Sequence, residues 1–81
     1  MKIELSLHTR NMLKEREISE EWLWRTVNHP DWQIVKEDDN VHYFKCIPEN
    51  RERILHVVVN PNVSPQKVVT VFFDRRERKQ K

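Results

Sequence analysis

Val41 to Val59, VHYFKCIPENRERILHVVV, decides how this chain folds. Two runs of β-branched and aromatic residues, Val41 to Ile47 and Ile54 to Val59, flank Pro48 to Glu52, a connection short enough to lay the second run antiparallel on the first. Val68 to Phe73 (VVTVFF) is a further strand of the same texture, reached through Asn60 to Gln66. Trp32 to Val35 precedes them as the first strand of a meander, joined through Asp38 to Asn40. Upstream the period changes. Lys2 to Leu7 alternates apolar and polar residues, as a half-buried strand does, and helix formers take over from His8 through Arg16. A second helix starts at Ser19, which caps it; Glu20 and Glu21 suit the positive end of its dipole, and Ile18 staples onto Leu23. Trp22, Leu23, Thr26 and Val27 form its buried stripe, and it ends near Asn28 because the residue before Pro30 is pushed out of the α region. The expected architecture is α+β: two N-terminal helices packed on one face of a four- to five-stranded, mainly antiparallel sheet.

Composition bounds what such a fold does. With 81 residues, the chain supports one domain, read as 1–74, followed by a charged tail, 75–81. A chain this short buries about 60 to 65% of its unfolded surface, so its stability is thin. It contains no glycine, so tight turns that need a positive φ fall to Asn or Asp, with candidates in Asp38-Asp39-Asn40, Glu49-Asn50 and Asn60-Pro61-Asn62. The single Cys46 rules out an intrachain disulfide and fits a reducing compartment. No apolar leader opens the sequence and no stretch approaches the roughly 18 apolar residues of a membrane span, so the expected location is cytoplasmic.

The formal charge of +2 conceals an asymmetry. Residues 1–40 carry six Lys or Arg against nine Asp or Glu, whereas residues 41–81 carry nine against four. A basic C-terminal half suits a polyanion, although a charge run is more often a solvated face. Metal chemistry finds no support: His8, His29, His42, His56 and Cys46 show no CxxC, HxH or HExxH spacing. A phosphate loop needs glycines that are missing. Nucleophilic catalysis through Cys46 would need a base that the sequence does not locate. No cofactor is expected.

What remains is a set of cations and an imidazole near the sheet: His8, Arg10 and Arg16 from the first helix, Lys45 from the second meander strand, Arg51 and Arg53 opening the third, and Arg75, Arg76 and Arg78 after the last. In Val41 to Ile47, Tyr43 and Lys45 share one side and His42, Phe44 and Cys46 the other. The second set reads as core, which turns Tyr43 and Lys45 toward a groove. Arginine forks suit phosphate oxygens and a tyrosine ring can stack on a base. Pairing of Arg16 with nearby carboxylates and a merely solubilising tail are the plainer alternatives.

"HTRNMLKEREISEEWLWRTVNHPD", residues 8–31, followed by a meander, resembles the H-A-x-x-R-x-x-x-R-G-I-S opening of the DUF4258 family, which is grouped with the RelE/ParE toxin superfamily. The resemblance runs from His8 to about Phe73 and is most specific at His8, Arg16, Ile18 and Ser19. Glu17 stands where that family usually has glycine, which implies a different or slightly strained end to the first helix. "YFKCIPENRERILHVVV" and "VTVFFDRRER" look like the strands that carry basic residues in RelE-type ribonucleases, which maps functional cations onto Lys45, Arg53 and Arg76. The resemblance implies a toxin that binds RNA or ribosome-bound mRNA and cuts it without a metal, the 2′-OH attacking its own phosphate while Lys and Arg stabilise the developing charge. His8 would serve acid–base transfer, since a tyrosine near the C-terminus of many RelE toxins has no counterpart in RRERKQK. The expected catalytic set is thus His8, Lys45, Arg53 and Arg76, with Arg10, Arg16, Tyr43, Arg51, Arg75 and Arg78 binding RNA. A small antitoxin is the implied partner. The rival is a non-catalytic module that binds protein or nucleic acid on the same face, with Trp24 and Trp32 as candidate contact residues.

Overall fold

A computed structural model describes residues 2–77. The elements follow in the order β1 (Ile3–Glu4), α1 (Leu7–Glu15), α2 (Glu20–Asn28), β2 (Trp32–Val35), β3 (Val41–Ile47), a 3₁₀ turn (Pro48–Asn50), β4 (Arg53–Asn60) and β5 (Gln66–Phe73). They form a five-stranded sheet in the order β1-β5-β4-β3-β2. The three pairings of the meander are antiparallel, but β1 lies parallel to β5, with Ile3 opposite Gln66. The sheet is therefore mixed, which corrects the expectation of a mainly antiparallel one. The cause is topological: the chain leaves β1 straight into two helices and returns only at the last strand, so β1 meets β5 running the same way. The expected strand Lys2 to Leu7 is cut to two residues, because Ser6 turns the chain by accepting a hydrogen bond from the Thr9 N–H at 3.1 Å and α1 starts at Leu7.

Alternation along the central strands divides the interior into two layers. Leu55, Val57 and Val59 face the helices and pack with Leu13, Ile18, Leu23, Val27, Tyr43 and Ile47. Ile54 turns to the opposite face with Phe44 and Cys46, where the Trp32 ring stacks on Phe44 at 4.9 Å and 6°. Tyr43, expected at a groove, thus belongs to the main core with 3% of its surface exposed. Its ring cannot reach a base, because the helices cover the side of β3 that carries it.

The junction after α1 resolves the question of Glu17. The Glu17 N–H donates to the Lys14 carbonyl at 3.2 Å and the Ile18 N–H to the Leu13 carbonyl at 2.8 Å, the paired bonds of a Schellman turn. Glu17 adopts the left-handed conformation, φ 55°, that the motif requires. Leu13 and Ile18, the two residues whose apolar contact accompanies such a turn, are both buried. Arg16 then reaches across to β5, its Nη1 donating to the Val71 carbonyl at 2.7 Å.

Glutamate pays a steric penalty at this left-handed position that glycine does not. Glu17→Gly is expected to stabilise the domain by about 1 kcal/mol, raising Tm by roughly 4 to 8 °C in a chain of this size. A thermal melt in which the variant is less stable would show that the Glu17 side chain contributes more than its backbone costs.

Candidate functional site

Two turns bring arginines together at the Phe73 end of the sheet. In the β3–β4 connection, Glu49 is gripped by a forked pair of hydrogen bonds from Arg25 of α2, at 2.9 and 2.8 Å. This contact holds the Glu49 carboxyl below the ordinary range. With the 3₁₀ turn anchored, the chain reverses through Arg51 and Glu52, both left-handed at φ 56° and 57°. Arg53 follows, its guanidinium 5.3 Å from the centre of the Phe73 ring, which is itself braced edge-on by Trp22.

The second turn follows β5. The Asp74 N–H donates to the Ile54 carbonyl at 2.9 Å, and Asp74 Oδ1 accepts from the Arg76 N–H at 2.9 Å. This Asx turn projects Arg75 and Arg76 into solvent. Between the two turns lies a cleft of about 380 Å³, lined by Arg51, Arg53 and Arg75 together with Glu52, Asp74 and Glu77. Among the described residues, Arg51 and Arg75 make no ion pair or side-chain hydrogen bond, so their forks are available to a ligand.

Behind the cleft runs a polar chain, buried except at Asp38, that crosses the face of the sheet opposite the two helices. Asp74 Oδ2 lies 3.0 Å from His56 Nδ1, His56 Nε2 lies 2.8 Å from His42 Nδ1, and His42 Nε2 lies 3.0 Å from Asp38 Oδ2. Phe44 and Phe72 pack on the His56 ring. Burial pushes the His56 imidazole below the ordinary histidine value, against the opposing pull of Asp74. Burial would push Asp74 up, but hydrogen bonds from His56 and the Arg76 N–H outweigh it and hold the carboxyl below its usual range. Asp38 is lowered too, mainly by the hydrogen bond from the Asn40 N–H.

The sequence-derived candidates divide accordingly. Arg51, Arg53, Arg75 and Arg76 meet at or beside the cleft. His8 lies in the first turn of α1, where its neighbour Thr9 donates to the Val68 carbonyl. Val68 is five residues along β5 from Phe73, roughly 17 Å at strand spacing, so His8 stands at the other end of the sheet. Lys45 is engaged elsewhere, its Nζ 2.7 Å from the His29 carbonyl at the end of α2 and 3.4 Å from Asp31. Arg10 pairs with Glu20 and Arg16 clasps β5. Arg78 lies outside the described residues.

His42, His56, Asp38 and Asp74 were missed as a group. The available signal was that His42 and His56 share the parity of Phe44 and Cys46 on neighbouring strands. Among the described residues no group of three or more His, Cys, Asp or Glu is arranged to hold a metal ion, since each of these four turns its polar atoms on the next.

The lowered His56 makes stability pH-dependent with a definite sign. The unfolded chain takes up a proton at this ring near pH 6.5, whereas the folded ring takes it up only at lower pH, so this contribution is fully present above about pH 7 and declines as the pH falls through the histidine range. The lowered Asp38 and Asp74 add stability above about pH 4 that is lost below it. Urea midpoints are expected to fall from pH 7.5 to 5.5 and again by pH 3.5. A flat profile between the first two would contradict a buried imidazole that resists protonation.

Among the described residues no helix is long and apolar enough to cross a membrane. No curated protein and no solved structure gives a significant match. A family model described as "Domain of unknown function (DUF4258)" matches residues 5–73. That span takes in both helices, every strand from β2 onward and the turn that opens the cleft, and the chain belongs to the DUF4258 family.

Proposed function

We propose that this domain binds the phosphate backbone of RNA through the arginine cleft, as a RelE-like toxin of a toxin–antitoxin pair would. The observation that carries the reading is the convergence of Arg51, Arg53 and Arg75 from two separate turns on one cleft, with Arg76 exposed beside them. In sequence Arg75 and Arg76 open the tail RRERKQK, which carries five cations and one acidic side chain. Arg53 is preorganised by the Phe73 ring, which lowers the entropy lost when it grips an anion. Glu77 shares the lining and gives it an acceptor as well as donors. An acceptor beside a phosphate site suits a ribose 2′-OH, the group that distinguishes RNA from DNA. A small acidic antitoxin would cover the same arginines.

Binding without turnover is favoured over cleavage by one observation. His8 and Lys45, two of the four residues expected to act in catalysis, are respectively at the far end of the sheet and committed to the end of α2. Metal-independent cleavage by this surface would have to draw on Arg53, Arg76 and the cleft carboxylates alone.

Fluorescence anisotropy with a labelled single-stranded RNA, over about 50 to 200 mM salt, tests the reading. Affinity is expected to fall steeply with salt, and Arg51→Ala and Arg75→Ala are each expected to weaken binding and flatten the slope by about 0.7. Tm should stay unchanged in both, since neither guanidinium has a partner among the described residues. Salt-independent or absent binding would overturn the RNA reading. Incubation of labelled mRNA with ribosomes and EDTA separates the two forms of it: cutting that is lost in Arg53→Ala makes the domain a ribonuclease, and intact RNA makes it a binding module.

A further inference from the structure

The chain Asp38–His42–His56–Asp74 has a proton count that fixes its behaviour. Two imidazoles offer four ring nitrogens. One pair of them is 2.8 Å apart, and each outer nitrogen lies 3.0 Å from a carboxylate oxygen. An ionised carboxylate only accepts, so each outer nitrogen must carry a proton. The inner contact then requires a third proton between His42 Nδ1 and His56 Nε2. Two neutral imidazoles bring only two, so the three contacts close together only when the pair holds one extra proton.

We propose that Asp38, His42, His56 and Asp74 form a one-proton latch that closes on acidification and opens at its Asp38 end when the shared proton leaves. Exposure decides which end opens. Asp74 has 4% of its side chain exposed and its other oxygen is bound to the Arg76 N–H, so its contact with His56 has no replacement in water. Asp38 has 47% of its side chain exposed and can turn to solvent at little cost. In the open state His42 Nδ1–H donates to His56 Nε2, His56 Nδ1–H donates to Asp74, and His42 Nε2 offers only a lone pair toward Asp38.

The surroundings of the latch favour a single extra proton over two. Lys36, whose Nζ stands 5.9 Å from the centre of the Phe44 ring, faces the pair from the β2–β3 connection and opposes protonation. Arg76, 3.6 Å from Asp74, offsets part of that carboxylate's charge. Cys46 shares the face but hands its thiol hydrogen to the Glu52 carbonyl. Asp38 and Asp74 supply the attraction, one at each end. A second extra proton would place two imidazolium ions in contact and would have no acceptor between the rings.

The opening end is coupled to an exposed part of the surface by one further hydrogen bond. Asp38 Oδ1 accepts the Asn40 N–H at 2.9 Å, so the β2–β3 turn, with Asp39 left-handed at its tip, moves with the carboxylate. The turn borders a cleft of about 460 Å³ lined by Val35, Lys36, Glu37 and Asp38. Its shape therefore follows the proton count of the latch, whatever the arginine cleft binds.

Side-chain nitrogen NMR of the full chain between pH 4.5 and 8.5 tests this. The two rings are expected to take up one proton between them with a common midpoint, while His56 Nδ1 stays protonated throughout. The Asn40 amide should shift with that midpoint and the Arg76 amide should not. Asp38→Asn keeps an acceptor for His42 but removes the charge, and is expected to weaken proton uptake by about threefold. Independent uptake of two protons, loss of the His56 Nδ1 proton at high pH, no uptake in the range, or movement of the Arg76 amide in place of Asn40 would each overturn the latch.

Discussion

A strand buried on both faces must be covered twice, and β4 imposes that demand on a chain with few residues to meet it. Ile54 through Val59 are all buried. The two nine-residue helices cover the face that carries Leu55, Val57 and Val59. The other face is covered by no helix among the described residues. It is closed by Trp32 stacked on Phe44, by Phe72, and by the imidazoles of His42 and His56 lying against one another. Polar groups in so thin a layer are tolerable only when their hydrogen bonds are made, which is why a carboxylate stands at each end of the histidine pair. The second layer of the core and the polar chain are the same object.

The absence of glycine has a related consequence. Glu17, Asp39, Arg51 and Glu52 take left-handed conformations that glycine would adopt freely. At Glu17 the strain is offset by a complete Schellman turn and a buried apolar contact. At Arg51 and Glu52 two such residues stand in succession, stabilised from outside by the Arg25–Glu49 fork. These two left-handed residues carry the chain to the rim of the cleft, where Arg51 has no side-chain partner among the described residues.

Much of this was legible in the residues because it is local. The four meander strands, the Asn28 end of α2 and the burial of Ile18 with Leu23 follow from period and a proline; Ser19 stands at the N-cap position as expected, but its side chain makes no capping hydrogen bond. The first helix was legible within a residue at each end, although its cap is Ser6 and the strand before it is short. The choice of face was not legible at β3, where both parity sets are buried, so Tyr43 went to the wrong side. Nor was the partner of β1, since a parallel pairing across more than sixty residues leaves no local trace. The fates of Arg16, Lys45 and His56 depend on hydrogen bonds to Val71, His29 and Asp74, set by register and helix packing rather than by neighbours in sequence.

The division of the cations has a physical origin in the same layering. Lys45 and Arg16 sit where a helix end or an open strand edge presents carbonyls that need donors, and such carbonyls attract the nearest long cation. The Phe73 end of the sheet presents no comparable demand, because the turn after β5 satisfies itself through Asp74. Among the described residues Arg51 and Arg75 accordingly make no ion pair or side-chain hydrogen bond. Asp74 joins the two regions: one oxygen holds the Arg76 N–H at the cleft and the other holds His56 inside the fold. A carboxylate that serves both contacts is held from both sides, with 4% of its side chain exposed, whereas Asp38 at the other end of the polar chain has 47% exposed. The arginine cleft therefore adjoins the buried end of the polar chain, with Asp74 in its lining.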